Sequence, residues 1–151
     1  MRCLGIDWGS KRWGLSYGDE IGIATPLPAI TDATGEAKWE KLAQLIAQRR
    51  IDTVVVGYPY NMDGSVGFKA KEVDAFIASF KEQFPQLPVH RVDERLTSQV
   101  AGQAWSEKVK REQRRSGKLD SSAAALILQD FLDQELAGSG SLEEWEMDLD
   151  D

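Results

Sequence analysis

Cysteine and histidine each occur once in the 151 residues, as Cys3 and His90. A single thiol excludes an internal disulfide, and one histidine leaves no Cys/His set for a structural zinc. Both lie in stretches that read as strands, so no Ser/His/Asp or Cys/His nucleophilic arrangement competes for the chemistry. Long apolar runs are missing too: none approaches the roughly 20 residues a bilayer span requires. The first residues, Met1 to Asp7, run straight into strand pattern without a leader-like apolar region. A cytoplasmic protein without a membrane partner is the expectation, with Cys3 acting as a small buried hydrophobe.

Excess positive charge is also lacking, since the net charge is −7, an unexpected sign for a chain that meets nucleic acid. The distribution removes the difficulty. Glu143, Glu144, Glu146, Asp148, Asp150 and Asp151 crowd the last ten residues without a base, and the body before them carries only −1. Within that body, Lys108 to Lys118 holds Lys108, Lys110, Arg111, Arg114, Arg115 and Lys118 against Glu112 alone. Gly138-Ser139-Gly140-Ser141 separates the acids from the body like a linker. The expectation is one domain over 1–137, long enough for a single core, and an acidic, disordered tail over 138–151.

Hydrophobic periodicity organises the body. Three strands are predicted at Arg2–Asp7, Arg12–Tyr17 and Ile21–Ile30, joined by Gly9-Ser10 and Gly18-Asp19-Glu20 turns. Pro26 and Pro28 mark the third as irregular or as a sheet edge. A helix follows over Glu36–Arg50, with Trp39, Leu42, Ala43 and Ile46 on one face. Thr53–Gly57 is β-branched without polar alternation, as in a strand buried on both faces. After a loop from Tyr58 to Phe68 comes a helix over Lys69–Phe84 with Val73, Phe76, Ile77, Phe80 and Phe84 inward. Pro88–Val92 is the fifth strand. Thr97 can cap a helix to Glu107, and a final helix spans Asp120–Leu136. The order βββαβαβαα predicts an α/β fold: a mixed five-stranded sheet, three antiparallel strands then two parallel, flanked by helices. Asp7, the loop after the fourth strand and Asp93-Glu94 then fall at one sheet edge, where open α/β sheets carry their sites.

Three acids stand out. Asp7 ends an apolar strand, Glu94 follows the fifth, and Asp120 shares the apolar face of Ala124, Ile127 and Phe131, which must dock on the sheet. Each has a plainer reading: an Asx-turn at Trp8-Gly9, a surface pair with Arg95, and a helix N-cap. Carboxylates gathered inward are costly unless paired or bound to cations. Oxygen-only ligands favour Mg²⁺ or Mn²⁺, which support in-line attack on phosphorus.

The same segments carry a resemblance. Gly5-Ile6-Asp7-Trp8-Gly9-Ser10-Lys11-Arg12-Trp13-Gly14-Leu15, Ala24-Thr25-Pro26-Leu27, Val55 through Ser65, Asp93-Glu94-Arg95-Leu96-Thr97-Ser98 and Asp120-Ser121-Ser122-Ala123-Ala124 occur in order. Together they resemble the YqgF/RuvX family of pre-16S rRNA nucleases, also described as Holliday junction resolvase-like, over about residues 2 to 133. The resemblance implies a ribonuclease H-like fold and metal-dependent endonuclease action in maturing the 5′ end of pre-16S ribosomal RNA. It puts the family's catalytic and metal-binding acids on Asp7, Glu94 and Asp120. Ser16, Gly18, Tyr58 and Ser121-Ser122 depart from the usual family residues, and none of these changes removes a carboxylate. Many related nucleases hold four acids; Asp93 and Asp63 are the further acids nearby.

Substrate contacts are expected from Lys11 and Arg12 in the first hairpin, Asn61 in the loop, and Arg95, Thr97 and Ser98 beside Glu94. Arg111, Arg114, Arg115 and Lys118 form the basic connector that leads to Asp120. Trp13, Trp39 and Trp105 fit apolar faces, whereas Trp8 and Tyr60 are placed to stack an unpaired base. The partner is nucleic acid, ribosomal RNA precursor or branched DNA, and the protein a monomer or weak dimer. Three other readings remain: a four-way DNA junction resolvase, a non-cutting RNA-binding, ribosome-assembly or transcription factor, and a sugar kinase or Hsp70-like ATPase. The last needs two such domains, and this chain has room for one.

Overall fold

A computed structural model describes residues 1–59, 65–93 and 121–136. The expected helix over Thr97–Glu107, the basic connector and the acidic tail lie outside the described residues. Among the described residues five strands and three helices follow in order: β1 (Arg2–Trp8), β2 (Trp13–Asp19), β3 (Thr25–Ile30), α1 (Gly35–Arg49), β4 (Thr53–Tyr58), α2 (Phe68–Gln83), β5 (Val89–Asp93) and α3 (Ser122–Leu136).

The strands form one sheet in the order β3-β2-β1-β4-β5. β1 pairs antiparallel with β2, and β2 with β3, while β1–β4 and β4–β5 are parallel. This is the expected mixed sheet. β3 is shorter than its apolar pattern suggests. Gly22, at φ 90°, donates to Asp19 O and the Asp19 side chain takes the Ile21 amide, so residues 19–22 form a turn. Ile21 and Ile23 stay exposed as a result. Pro26 and Pro28 lie on the edge strand, which tolerates missing donors.

Alternation along the strands divides the interior into two cores. Leu4, Ile6, Val54, Val56 and Tyr58 face α1 and α2, meeting Leu42, Ile46, Val73, Phe76, Ile77 and Phe80. Cys3, Val55 and Val92 face α3, meeting Ile127, Leu128, Phe131 and Leu132. β4 is therefore buried on both faces, as its unbroken β-branched run requires. α1 is capped by Thr34, whose hydroxyl accepts from the Ala37 amide, and ends at Arg50 in the left-handed region. Its buried stripe is Lys38, Leu42 and Ile46, turned slightly from the expected one; Trp39 packs at the margin.

α3 lies very close to the sheet. A Cβ on Gly5 would stand 2.8 Å from Leu128 Cβ and 2.9 Å from the Ala124 carbonyl oxygen. Ser16, also fully buried, donates from its hydroxyl to Ala124 O at 2.7 Å. Small residues on β1 and β2 thus set the distance of α3, and with it the placement of its first turn.

Candidate active site

Asp7 is the penultimate residue of β1 and pairs with Gly14 of β2. Cys3 faces α3, and Gly5 touches it, so alternation puts Asp7 on the α3 face as well. On its other flank the parallel register ends at Ile6↔Val56, one residue before Gly57. The carboxylate therefore stands between two strands that carry glycine at its level. It is half-buried and has no hydrogen bond or ion pair among the described residues. Its oxygens are open to solvent or to a hard cation, which takes oxygen donors.

Glu94 and Asp120 lie outside the described residues, and no group of three metal-ligating side chains occurs among those that are described. The residues bonded to them are described, however, and both stand at the Asp7 end of the sheet. Asp93 closes β5 opposite Tyr58, one step beyond the Gly57↔Val92 pair. Ser121, fully buried, accepts a hydrogen bond on Oγ from the Leu15 amide at 3.1 Å, next to Gly14. The strand irregularity between Trp13 and Leu15 falls at this contact. Asp93 itself shares the strand face of Arg91 and Tyr58, opposite Asp7. Arg91 and Tyr58 both donate to Asp74 of α2, at 3.0 and 2.8 Å. Alternation thus separates Asp93 from Asp7; Asp63 lies outside the described residues.

Of the expected substrate contacts, Lys11 and Arg12 are exposed in the turn between β1 and β2, beside Asp7. Asn61, Arg95, Thr97, Ser98, Arg111, Arg114, Arg115 and Lys118, with Tyr60 and Trp105, lie outside the described residues. Trp8 belongs to β1 rather than a turn, pairs with Trp13, and leans on Phe76 at 6.3 Å. Sequence reasoning missed the anchoring serines Ser16 and Ser121. Their only signal was the choice of a small hydroxyl residue where a bulkier or apolar one is usual. It also missed Asp130 at the β5–α3 groove, whose carboxyl is pushed up by burial and by the charge of Asp133.

Comparison with known proteins fits this geometry. Residues 1–134 match the family model described as "RuvX: Holliday junction resolvase". A protein of Opitutus terrae named "Putative pre-16S rRNA nuclease" is 52% identical over 134 residues, covering 89% of this chain and 92% of its own. A protein of the same name from Trichormus variabilis is 40% identical, covering 88% of each. Among solved structures, Thermus thermophilus RuvC aligns with a TM-score of 0.52 at 14% identity, over 91% of this chain and 97% of that one. The fowlpox virus resolvase, solved with Holliday junction DNA, aligns at 0.51 and 14% identity, over 87% and 99%. The structural likeness establishes the ribonuclease H-like fold. The family match over residues 1–134 and the identity with these relatives show that this protein belongs to the RuvX family.

Proposed function

We propose that this protein is a divalent-metal-dependent endonuclease that cuts ribosomal RNA precursor in maturing the 5′ end of 16S ribosomal RNA. The observation that carries the reading is Asp7: a half-buried carboxylate without a protein partner among the described residues, standing between Gly14 and Gly57 on the α3 face. The relatives named as pre-16S rRNA nucleases supply the substrate.

In this reading Asp7, Glu94 and Asp120 are the catalytic ligands of Mg²⁺ or Mn²⁺. In the sequence Glu94 directly follows Asp93, which closes β5, and Asp120 directly precedes the anchored Ser121. Bound divalent ions supply charge to the attacking and leaving oxygens of an in-line displacement at phosphorus. Lys11 and Arg12 hold backbone phosphates beside Asp7. Asn61, Arg95, Thr97, Ser98 and the connector residues Arg111, Arg114, Arg115 and Lys118 extend that contact, positioning the strand without reading its sequence. The folded unit is 1–137, with 138–151 a separate acidic tail, and the protein works in the cytoplasm as a monomer or weak dimer. Among the described residues no helix is long and apolar enough to cross a membrane.

The fold shared with junction resolvases favours one second reading, a four-way DNA junction as substrate. End-labelled rRNA precursor and a four-way DNA junction, offered with Mg²⁺ or Mn²⁺ to wild type and Asp7→Asn, separate the two. Metal-dependent RNA cutting lost in the variant supports the proposal. Junction cutting alone supports the resolvase, and no cutting of either by the metal-loaded protein moves the function to RNA binding or assembly.

A further inference from the structure

On the sheet face opposite Asp7, a groove of about 330 Å³ opens between β1, β2, α1 and α2. Its walls are aromatic. Trp39 stacks on Phe76 with centroids 5.3 Å apart and planes 14° apart, and Trp13 meets both edge-on at 5.0 and 5.1 Å. Trp13 and Phe76 are buried, whereas Trp8 and Trp39 remain half-buried, so these two indoles present ring surface to the groove. Glu72 and Ser79 of α2 supply its polar rim. The Glu72 carboxylate is half-buried and has no hydrogen bond or ion pair among the described residues.

The groove lies across the sheet from the candidate active site, one residue step along β1. Trp8 follows Asp7 directly, and the two side chains leave β1 on opposite faces at the same end of the sheet. Both therefore stand at the carboxyl end of β1, next to the turn that leads into β2. Lys11 and Arg12, exposed in that turn, offer the charge to carry a backbone around that end.

We propose that this groove is a subsite for one unpaired guanine base of the substrate strand. Flat walls of indole suit any nucleobase, because every base offers a π-face. Glu72 makes the choice. A carboxylate only accepts hydrogen bonds, and it takes two parallel donors best. On its Watson–Crick edge guanine alone sets two donors side by side, the ring N1–H and the exocyclic amine. Adenine and cytosine put an acceptor beside their amine, and uracil flanks its one N–H with two carbonyls. Each of those would leave a lone pair of Glu72 facing a lone pair of the base. Trp8 and Trp39 thus bind the ring, and Glu72 sets its identity.

This inference rests on the nucleic-acid reading above, and its test runs without cleavage. Short single-stranded RNAs that differ only in one central base are titrated into the full-length protein in excess EDTA. Anisotropy of a 5′ label reports total binding, and tryptophan fluorescence reports the groove. The guanine oligonucleotide is expected to bind tightest and to quench most, with Trp39→Phe lowering the quench. Glu72→Gln is expected to cost about tenfold in affinity for guanine and little for the other bases. Because Glu72 has no hydrogen bond or ion pair among the described residues, circular dichroism of this variant should match wild type. Equal binding of all four RNAs, an unchanged preference in Glu72→Gln, or no binding at all overturns the subsite. Binding without preference by a protein that still cuts RNA leaves the nuclease reading intact. Guanine-selective binding by a protein that never cuts overturns the nuclease reading and keeps the subsite.

Discussion

The backbone amide of Leu15 donates to the hydroxyl of Ser121 at 3.1 Å, fastening the residue just before α3 to β2. The two residues are 106 positions apart, and both are buried. This bond fixes where the chain emerges immediately after Asp120, so it ties a structural anchor to the proposed metal site.

Replacing Ser121 with alanine leaves the Leu15 N–H buried without its acceptor. The expected cost is about 1–3 kcal/mol, read as a lower urea midpoint at unchanged m-value. Cleavage by the folded variant should fall as well, in kcat more than in KM, since the neighbouring Asp120 loses its anchor. Full activity with full stability would show that the bond positions nothing.

Asp7→Asn should abolish cutting while sparing the fold. A ligand to the ions should cost more than the roughly 10–100-fold typical of groups one shell further out. No described partner is lost, so the thermal midpoint without metal should stay at the wild-type value. Added Mg²⁺ should raise the midpoint of wild type by mass action and that of the variant less. A variant that cuts at the wild-type rate would move the site away from β1.

Two glycines should respond in opposite ways to alanine. At Gly5 the new methyl meets Ser16 Oγ, Leu128 Cβ and the Ala124 carbonyl, forcing α3 off the sheet at a cost of about 1–3 kcal/mol or more. At Gly35, in the first turn of α1, nothing lies within 4 Å. There alanine should stabilise by roughly 0.5–1 kcal/mol through its better helix propensity. Urea titration of both variants checks the pair.

Burial, then the charge of Asp52, pushes the Cys3 thiol up from an ordinary 9.0 to about 11. The folded state keeps this proton where the unfolded chain has lost it. The stabilising contribution is therefore complete below about pH 9 and disappears as the pH rises toward 11. Native protein at pH 8 should resist iodoacetamide and react only on unfolding. A wild-type Cys3→Ala comparison should show the alkaline loss of stability shrink in the variant.

Much of this architecture was legible in the chain. The βββαβαβ order and the burial of Val54, Val55 and Val56 on both faces follow from period and residue type, which act locally. Asp7 was legible as the acid ending an apolar strand. Local pattern misled where neighbours decided. Ile21 and Ile23 look like strand residues, yet the Asp19 turn and Gly22 hold them out of the sheet. Lys38 looks like a surface residue and is buried, with its ammonium 6.0 Å over the Trp13 ring. Trp8 looks like a turn residue and closes a strand against Phe76.

The sequence by itself determined the order of the described strands and helices, because side-chain period and backbone preference need only near neighbours. Tertiary structure decided which face each residue uses. The pairing of Asp7 with Gly14, and the glycine contact that lets α3 press onto β1, turn Asp7 toward α3 and Trp8 toward α2. The same register separates Asp93 from Asp7, although both acids stand at the same end of the sheet. A one-residue change of register would exchange those faces; the parallel pairing of β1 with β4 and the contact of Gly5 with α3, between residues far apart in sequence, hold it in place.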